Sequence, residues 1–321
     1  MTTGLIYDER FLNHDTGRGH PERPDRLRAI VAAMRSSGLW HRLRHLEFDL
    51  ATAARLERLH SPAYVHRVVE ECASGLPYID VVDSAVCEAS AEIAMLAVGG
   101  VMRAVEAVMS GEVGNAFCAV RPPGHHAEAG RSMGFCLFGN VSLAAESLIA
   151  DHDLKRVAIV DFDVHHGNGT QHLLEDRADV LFVSVHEDPQ HQYPGTGFAN
   201  EIGRGDGEGY TLNVPLAPGS GDEAYREAFA ELVLPKLDEY APQFLLLSAG
   251  FDAAAADPLG GMRVSTPGFV EMTRALLDIA KRHADGRVVS VLEGGYDLEA
   301  LAAGVCGHVE TMLEFGGAGP I

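Results

Sequence analysis

An α/β fold, built on a central and mainly parallel sheet flanked by helices, is predicted by three features of the sequence. Short apolar runs recur without polar alternation, stretches of helical spacing lie between them, and the reactive side chains follow the runs rather than interrupt them. Strands covered on both faces lose the alternation of a half-exposed sheet, and strand and helix taking turns along a chain is the pattern of a layered α/β domain.

The predicted strands are residues 5–7, 116–120, 157–160, 180–185, 244–247 and 288–292, each rich in β-branched or other apolar side chains. Helical spacing is found in RPDRLRAIVAAMRSSGL (23–39), FGNVSLAAESLIADHDL (138–154) and DEAYREAFAELVLPKLDEY (222–240). AEIAMLAVGGVMRAVEAVM (91–109) is apolar at the same spacing and reads as a core helix. TPGFVEMTRALLDIAKRHA (266–284) opens with Thr266 and Pro267, which fit an N-cap followed by the first helical position. GRGDGEG (203–209) shares only its glycine content with a phosphate loop and reads as a surface turn.

A chain of 321 residues with 46% hydrophobic content buries a large core, and it shows neither a linker nor an internal repeat. One domain over 1–321 is expected, with the last residues from about 315 flexible. The net charge of −21 argues against nucleic acid, whose binding depends on Lys and Arg displacing counterions. There is no run of about 18 apolar residues and no signal-like N-terminus, so no membrane is involved. The five cysteines form no CxxC pair, and reduced thiols in the cytoplasm are expected. A homo-oligomer is allowed by everything in the sequence.

Ligands of parallel sheets bind outside the carboxyl ends of the strands. After four predicted strands the chain reads RPPGHH, DFDVHHGNG, SAGFD and LEGGYD, so the reactive residues collect at one edge. Asp163 and His165, two residues apart where a strand ends, point the same way, and Asp252 can supply a third ligand. Two carboxylates, an imidazole and an open position suit a catalytic divalent ion: most simply Zn²⁺, with Fe²⁺, Co²⁺ and Mn²⁺ as alternatives. The adjacent imidazoles of His125 and His126 suit proton transfer, one as base and one as charged neighbour, and Asp161 can orient one of them. Tyr296, after two glycines, can point a phenol at an oxyanion. His14, His20, His60, His152, His283 and His308 have no clustered partners and read mostly as surface or packing residues.

Taken together, these motifs resemble the histone deacetylase superfamily, which includes bacterial deacetylase-like and acetylpolyamine amidohydrolases. The likeness runs in order through HPERPDRL, RPPGHHAE, MGFCLFGN, DFDVHHGNGTQ, YPGTG, LNVPL, SAGFDAAAADPLGG and LEGGYDLEAL, covering nearly the whole chain. Asn168 marks the class II branch, since class I relatives usually carry Asp there. The resemblance implies the single-domain arginase/deacetylase fold and a metal-dependent hydrolase that removes acetyl from a primary amine, on acetylated lysine peptides or other acetylated amines.

It also implies roles for matching residues. Asp163, His165 and Asp252 correspond to the zinc ligands and His126 to the general base that activates the attacking water. His125 with Asp161 corresponds to the neighbouring electrostatic imidazole, Asn168 to the partner of His126, and Tyr296 to the catalytic tyrosine. Phe135 resembles one wall of the acyl-lysine tunnel, with Gly134 and Gly294 beside it; Tyr193 stands where the facing Phe is usual. A structural K⁺ near Asp161, Asp163, His165 and Ser184 is implied as well. Leu259 in DPLGG matches lysine deacetylases rather than polyamine enzymes, and Asp80 or Asp83 is expected on the rim. A binuclear Mn²⁺ ureohydrolase needs further carboxylates where this chain has Gly167, Ala253 and Ala254, and a non-catalytic acyl-lysine reader would not need Tyr296 and His126 intact.

Overall fold

The computed structural model describes residues 2–317. Eight strands form one sheet in which every pair is parallel: β1 Thr3–Ile6, β2 Arg44–His45, β3 Asn115–Cys118, β4 Val157–Asp161, β5 Val180–Glu187, β6 Thr211–Leu216, β7 Phe244–Ala249 and β8 Val288–Leu292. Their spatial order is β2-β1-β3-β8-β7-β4-β5-β6. The six predicted strands are all present, and β3, β4, β5, β7 and β8 are buried along their whole length.

The two strands that the sequence pattern misses lie at the sheet's edges. β2 is two exposed polar residues, and β6 is only partly buried and contains Pro215. Proline lacks the ladder donor and is tolerated where no further strand pairs.

The helices are α1 Asp25–Ser36, α2 Ala53–Leu56, α3 Pro62–Ala73, α4 Ser90–Met109, α5 Asn140–Ala150, α6 Asn168–Leu174, α7 Asp222–Ala228, α8 Leu234–Tyr240, α9 Thr266–His283 and α10 Leu298–Gly317. α4 and α5 pack together against the sheet, while α1, α9 and α10 form a second packed group. α4 buries thirteen of its residues and is the core helix its composition predicts.

Two local expectations are corrected. Residues 222–240 are helical throughout but not uniformly α, because a π turn at Phe229–Val233 separates α7 from α8. Pro235 cannot donate to the carbonyl four residues back, and the widened turn lies directly before it. The N-cap of α9 is Ser265, not Thr266: its backbone is extended and its side chain accepts the Gly268 N–H, which makes Thr266 the first helical residue and Pro267 the second. Residues 318–321, part of the tail expected to be flexible, lie outside the described residues, and α10 reaches Gly317.

Candidate active site

The loops after β3, β4, β5, β7 and β8 converge at one edge of the sheet, as the arrangement of motifs predicts. Asp163, His165 and Asp252 present ligand atoms within 4.8 Å of one another, all buried. His165 Nδ1 lies 2.9 Å from Asp163 Oδ1 and 3.2 Å from Asp252 Oδ2. Backbone N–H groups hold the other oxygens: Gly294 donates to Asp163 Oδ2 at 2.8 Å and Val164 to Asp252 Oδ1 at 2.9 Å. Asp252 Oδ2 is buried without a well-aligned hydrogen bond among the described residues. Burial and then the Asp163 charge push Asp252 up to about 7, while His165, despite burial, is raised to about 10 by the two carboxylates. A buried carboxylate oxygen with no well-aligned donor, two crowded carboxylates and an imidazole are the donor set of a cation, so the residues fit the implied divalent metal. Gly294 shapes this cradle, because a Cβ there would overlap the Asp252 carboxylate.

Beside the trio, the imidazoles of His125 and His126 lie against each other with ring centroids 4.0 Å apart and planes tilted by 44°. His125 Nδ1 meets Asp161 Oδ2 at 2.9 Å, and His126 Nδ1 meets Asn168 Oδ1 at 2.7 Å. Burial alone disfavours charge on either ring. The Asp163 and Asp161 carboxylates nonetheless hold His125 well above the usual histidine range, whereas burial and the charges of His125 and His165 hold His126 well below it. One ring is thus kept charged and its neighbour neutral, which separates electrostatic and base roles. Gly134, at φ 55°, lies against the second ring, and a Cβ would collide with it.

Tyr296 is held from two sides. Its N–H donates to Asp257 Oδ2 at 2.6 Å, and the guanidinium of Arg26 lies 5.0 Å from its ring centroid. Arg26 also donates to Gly295 O at 2.6 Å and Glu293 O at 2.5 Å. Burial first, and then the Asp252 and Asp163 charges, push the phenol well above its ordinary value against the pull of Arg26, so it is a neutral donor.

Phe135 packs edge-on against Tyr296 at 5.8 Å and His20 at 4.8 Å, and Tyr193 packs edge-on against His126 at 5.2 Å. His20 therefore packs against Phe135 rather than standing as an isolated surface histidine. Leu259 is half-buried and is linked to the Tyr193 loop, since Gln192 donates to its carbonyl at 2.8 Å and accepts the Tyr193 N–H at 2.9 Å. Of the two carboxylates expected on a rim, Asp80 is taken up by Arg67 at 2.5 Å and the Ser132 N–H at 2.8 Å. Asp83 accepts His20 Nε2 through its carbonyl at 3.2 Å and, after burial, is the main charge raising the Tyr193 phenol. Ser184 is buried opposite Asp161 in the β4–β5 register, with its hydroxyl 2.8 Å from His186 Nδ1.

Several supporting residues carry no assigned role in the sequence reading. Glu22 accepts from Arg121 at 2.6 and 2.7 Å and from Arg26 at 3.2 Å, all three fully buried, with His14 Nε2 3.6 Å away. Glu293 Oε2 accepts the N–H groups of Gly124 at 2.7 Å and His125 at 3.2 Å, tying β8 to the histidine loop. Glu22, Arg26, Arg121 and Glu293 stand inside the motifs quoted above, whereas His14 lies outside them; nothing in their spacing marks them as partners of one another.

Residues 20–312 match the histone deacetylase domain family. The chain is 42% identical to a histone deacetylase-like amidohydrolase of Pseudomonas aeruginosa, over 92% of this chain and 81% of that protein. It is 40% identical to a probable deacetylase of Archaeoglobus fulgidus, over 98% and 87% respectively. The crystal structure of the HDA15 HD domain is similar with a TM-score of 0.92 at 39% identity, covering 98% of this chain and 90% of that one.

Proposed function

The chain belongs to the histone deacetylase family and is a deacetylase hydrolase, and from that premise we propose that it removes acetyl from N-ε-acetyl-lysine in peptides, with His126 as general base and Tyr296 as oxyanion donor. The observation that carries the reading is the pairing of the Asp163, His165 and Asp252 cradle with two adjacent imidazoles held in opposite charge states.

Zn²⁺ is the ion assigned to this cradle, with Fe²⁺, Co²⁺ and Mn²⁺ able to use the same ligands; when bound, it supplies Lewis-acid polarisation of the amide carbonyl and acidifies water. His126, neutral, accepts the proton of the attacking water on the ring nitrogen that Asn168 leaves free. Tyr296 donates its phenolic hydrogen to the oxygen on which negative charge develops, and His125 adds a fixed positive charge nearby. The proton taken by His126 then passes to the leaving amine. Phe135 and Tyr193 flank the acyl-lysine stem, with Gly134 and Gly294 leaving room beside it.

Leu259 supports acetyl-lysine over an acetylpolyamine, because an apolar side chain in the loop next to Tyr193 offers a second amine no carboxylate. An acetylpolyamine or another small N-acyl amine is the second reading, favoured by the net charge of −21. A K⁺ at Asp161, Asp163, His165 and Ser184 is part of the proposal, supported by the buried Asp161–Ser184 pairing. No described helix is long and apolar enough to cross a membrane, and the five free thiols support a reducing compartment, the cytoplasm.

The test is kcat/KM for the zinc-loaded protein across acetyl-lysine peptides, acetylputrescine, acetylspermidine and longer acyl chains. The best peptide is expected to lead. Acetylputrescine about tenfold above it would move the assignment to the second reading, and no turnover of any substrate would leave a non-catalytic reader.

A further inference from the structure

We propose that Glu128 fixes His126 as a base: acting through the Asn168 amide, its carboxylate keeps the imidazole proton on Nδ1 and so leaves the lone pair on Nε2. The proposal rests on the reading of His126 as the general base.

A neutral imidazole carries one proton, and the partner of one ring nitrogen decides which nitrogen holds it. Here the partner is an amide, which can turn either face to the ring. If Asn168 presented its NH₂, His126 Nδ1 would have to accept, the proton would move to Nε2, and the ring could not take a proton there. What settles the face lies on the far side of the amide. Asn168 Nδ2 is 2.9 Å from Glu128 Oε1 and 3.3 Å from Met133 Sδ. Neither atom has a hydrogen to give. A reversed amide would set oxygen against a carboxylate oxygen in a site where His126 and Asn168 are almost fully buried. The amide oxygen therefore faces His126 Nδ1, at 2.7 Å, and the ring nitrogen donates.

Glu128 is itself held in place and ionised. His172 Nδ1 donates to the same Oε1 at 2.9 Å, and this bond first, with the Asn168 bond, keeps the carboxyl below its usual range against partial burial. Its backbone is paired with Arg131.

The neighbouring histidine gives the contrast. Asp161 meets His125 Nδ1 directly at 2.9 Å, whereas Glu128 reaches His126 only through the Asn168 amide. Glu128 acts by fixing which face of that amide the ring meets, so it is a positioning residue.

The test is kcat and KM on an acetyl-lysine peptide for the wild type, Glu128→Gln, Asn168→Asp and the double variant, with NMR of the histidine ring nitrogens to read the His126 tautomer. Glutamine can donate to a reversed Asn168, so E128Q is expected to lower kcat by about tenfold or more at nearly unchanged KM and to shift His126 toward the Nε2–H form. In Asn168→Asp the side chain at this position can only accept, which removes the need for Glu128 and places two carboxylates side by side. The double variant is therefore expected to be more active than either single variant. Wild-type kcat and an unchanged tautomer in E128Q would overturn the proposal, as would an equal loss on adding E128Q to Asn168→Asp. If His126→Ala kept full activity, the base assignment would fall instead, and the tautomer measurement, which needs no turnover, would still decide the role of Glu128.

Discussion

Asp257→Asn is predicted to slow turnover by loosening Tyr296, while the ligand trio stays intact. The Asp257 carboxylate is buried and accepts three backbone N–H groups: Tyr296 at 2.6 Å and Asp297 at 3.1 Å on Oδ2, and Leu259 at 3.0 Å on Oδ1. An amide has one accepting oxygen. If that oxygen serves the tyrosine loop, two charge-assisted bonds become neutral ones, a loss of about 1 kcal/mol each, and the Leu259 N–H faces an NH₂ at a cost of about 1–3 kcal/mol. The total is about 3–5 kcal/mol. If about half of this is relieved when the loop leaves its position, the fraction of protein with Tyr296 in place falls about tenfold or more, and kcat falls with it. The loss has a ceiling, since it cannot exceed removal of the hydroxyl itself, about 10²–10³ for a single oxyanion donor. The assay is a double-mutant cycle: kcat on an acetyl-lysine peptide for the wild type, Asp257→Asn, Tyr296→Phe and the double variant. If Asp257 acts through the phenol, D257N costs almost nothing once Tyr296 is Phe. An equal loss in both backgrounds would refute the reasoning and make Asp257 a general structural residue.

Asp252→Ala should lose the divalent ion and keep the fold, read by elemental analysis and circular dichroism; full metal content would remove it from the ligand set. Glu22→Gln leaves Arg26 and Arg121 buried with weakened partners, so the melting temperature should fall by about 5–8 °C, from about 3–5 kcal/mol for a broken buried pair, and an unchanged midpoint in calorimetry would contradict this. His308, buried between Thr273 and Ser290, is lowered by burial to about 3 from 6.5. The unfolded chain takes up that proton first, so the stability it contributes is complete above about pH 6.5 and is lost as pH falls toward 3, amounting to about 2 kcal/mol by pH 5. His308→Gln should flatten the change in urea-unfolding free energy between about pH 7 and 5 by that amount, and identical slopes would count against it.

The sequence was informative wherever burial was uniform. The strands from β3 to β8 that are covered on both faces announce themselves as unbroken apolar runs, whereas β6, half-covered and carrying Pro215, has no such run to mark it. Asp163, His165, His125 and His126 were legible because a few residues after a strand end place them at one edge. Asp252 required only the same rule applied to β7. Arg26 was not legible: within an amphipathic helix it looks like an outward-facing charge, yet it is fully buried and binds Gly295, 269 residues further on. Asp257 and Glu128 were missed for the same reason, because their partners are backbone groups or side chains far along the chain that no local pattern specifies.

The sheet order bears on how the protein is made. β8 is the last of the eight strands to be synthesised, yet it sits fourth in the row, between β3 and β7. Without it, β2-β1-β3 and β7-β4-β5-β6 have no strand to join them, and β3 and β7 each lack the partner that covers their edge. One insertion seals both edges. The same strand leads into Glu293, which holds the histidine loop, and Tyr296, so the strand that joins the two halves of the sheet also brings in these two residues. A chain stalled before Val288 has two unpaired edges and lacks both Glu293 and Tyr296, which makes an incomplete product of translation prone to aggregate and without its oxyanion donor.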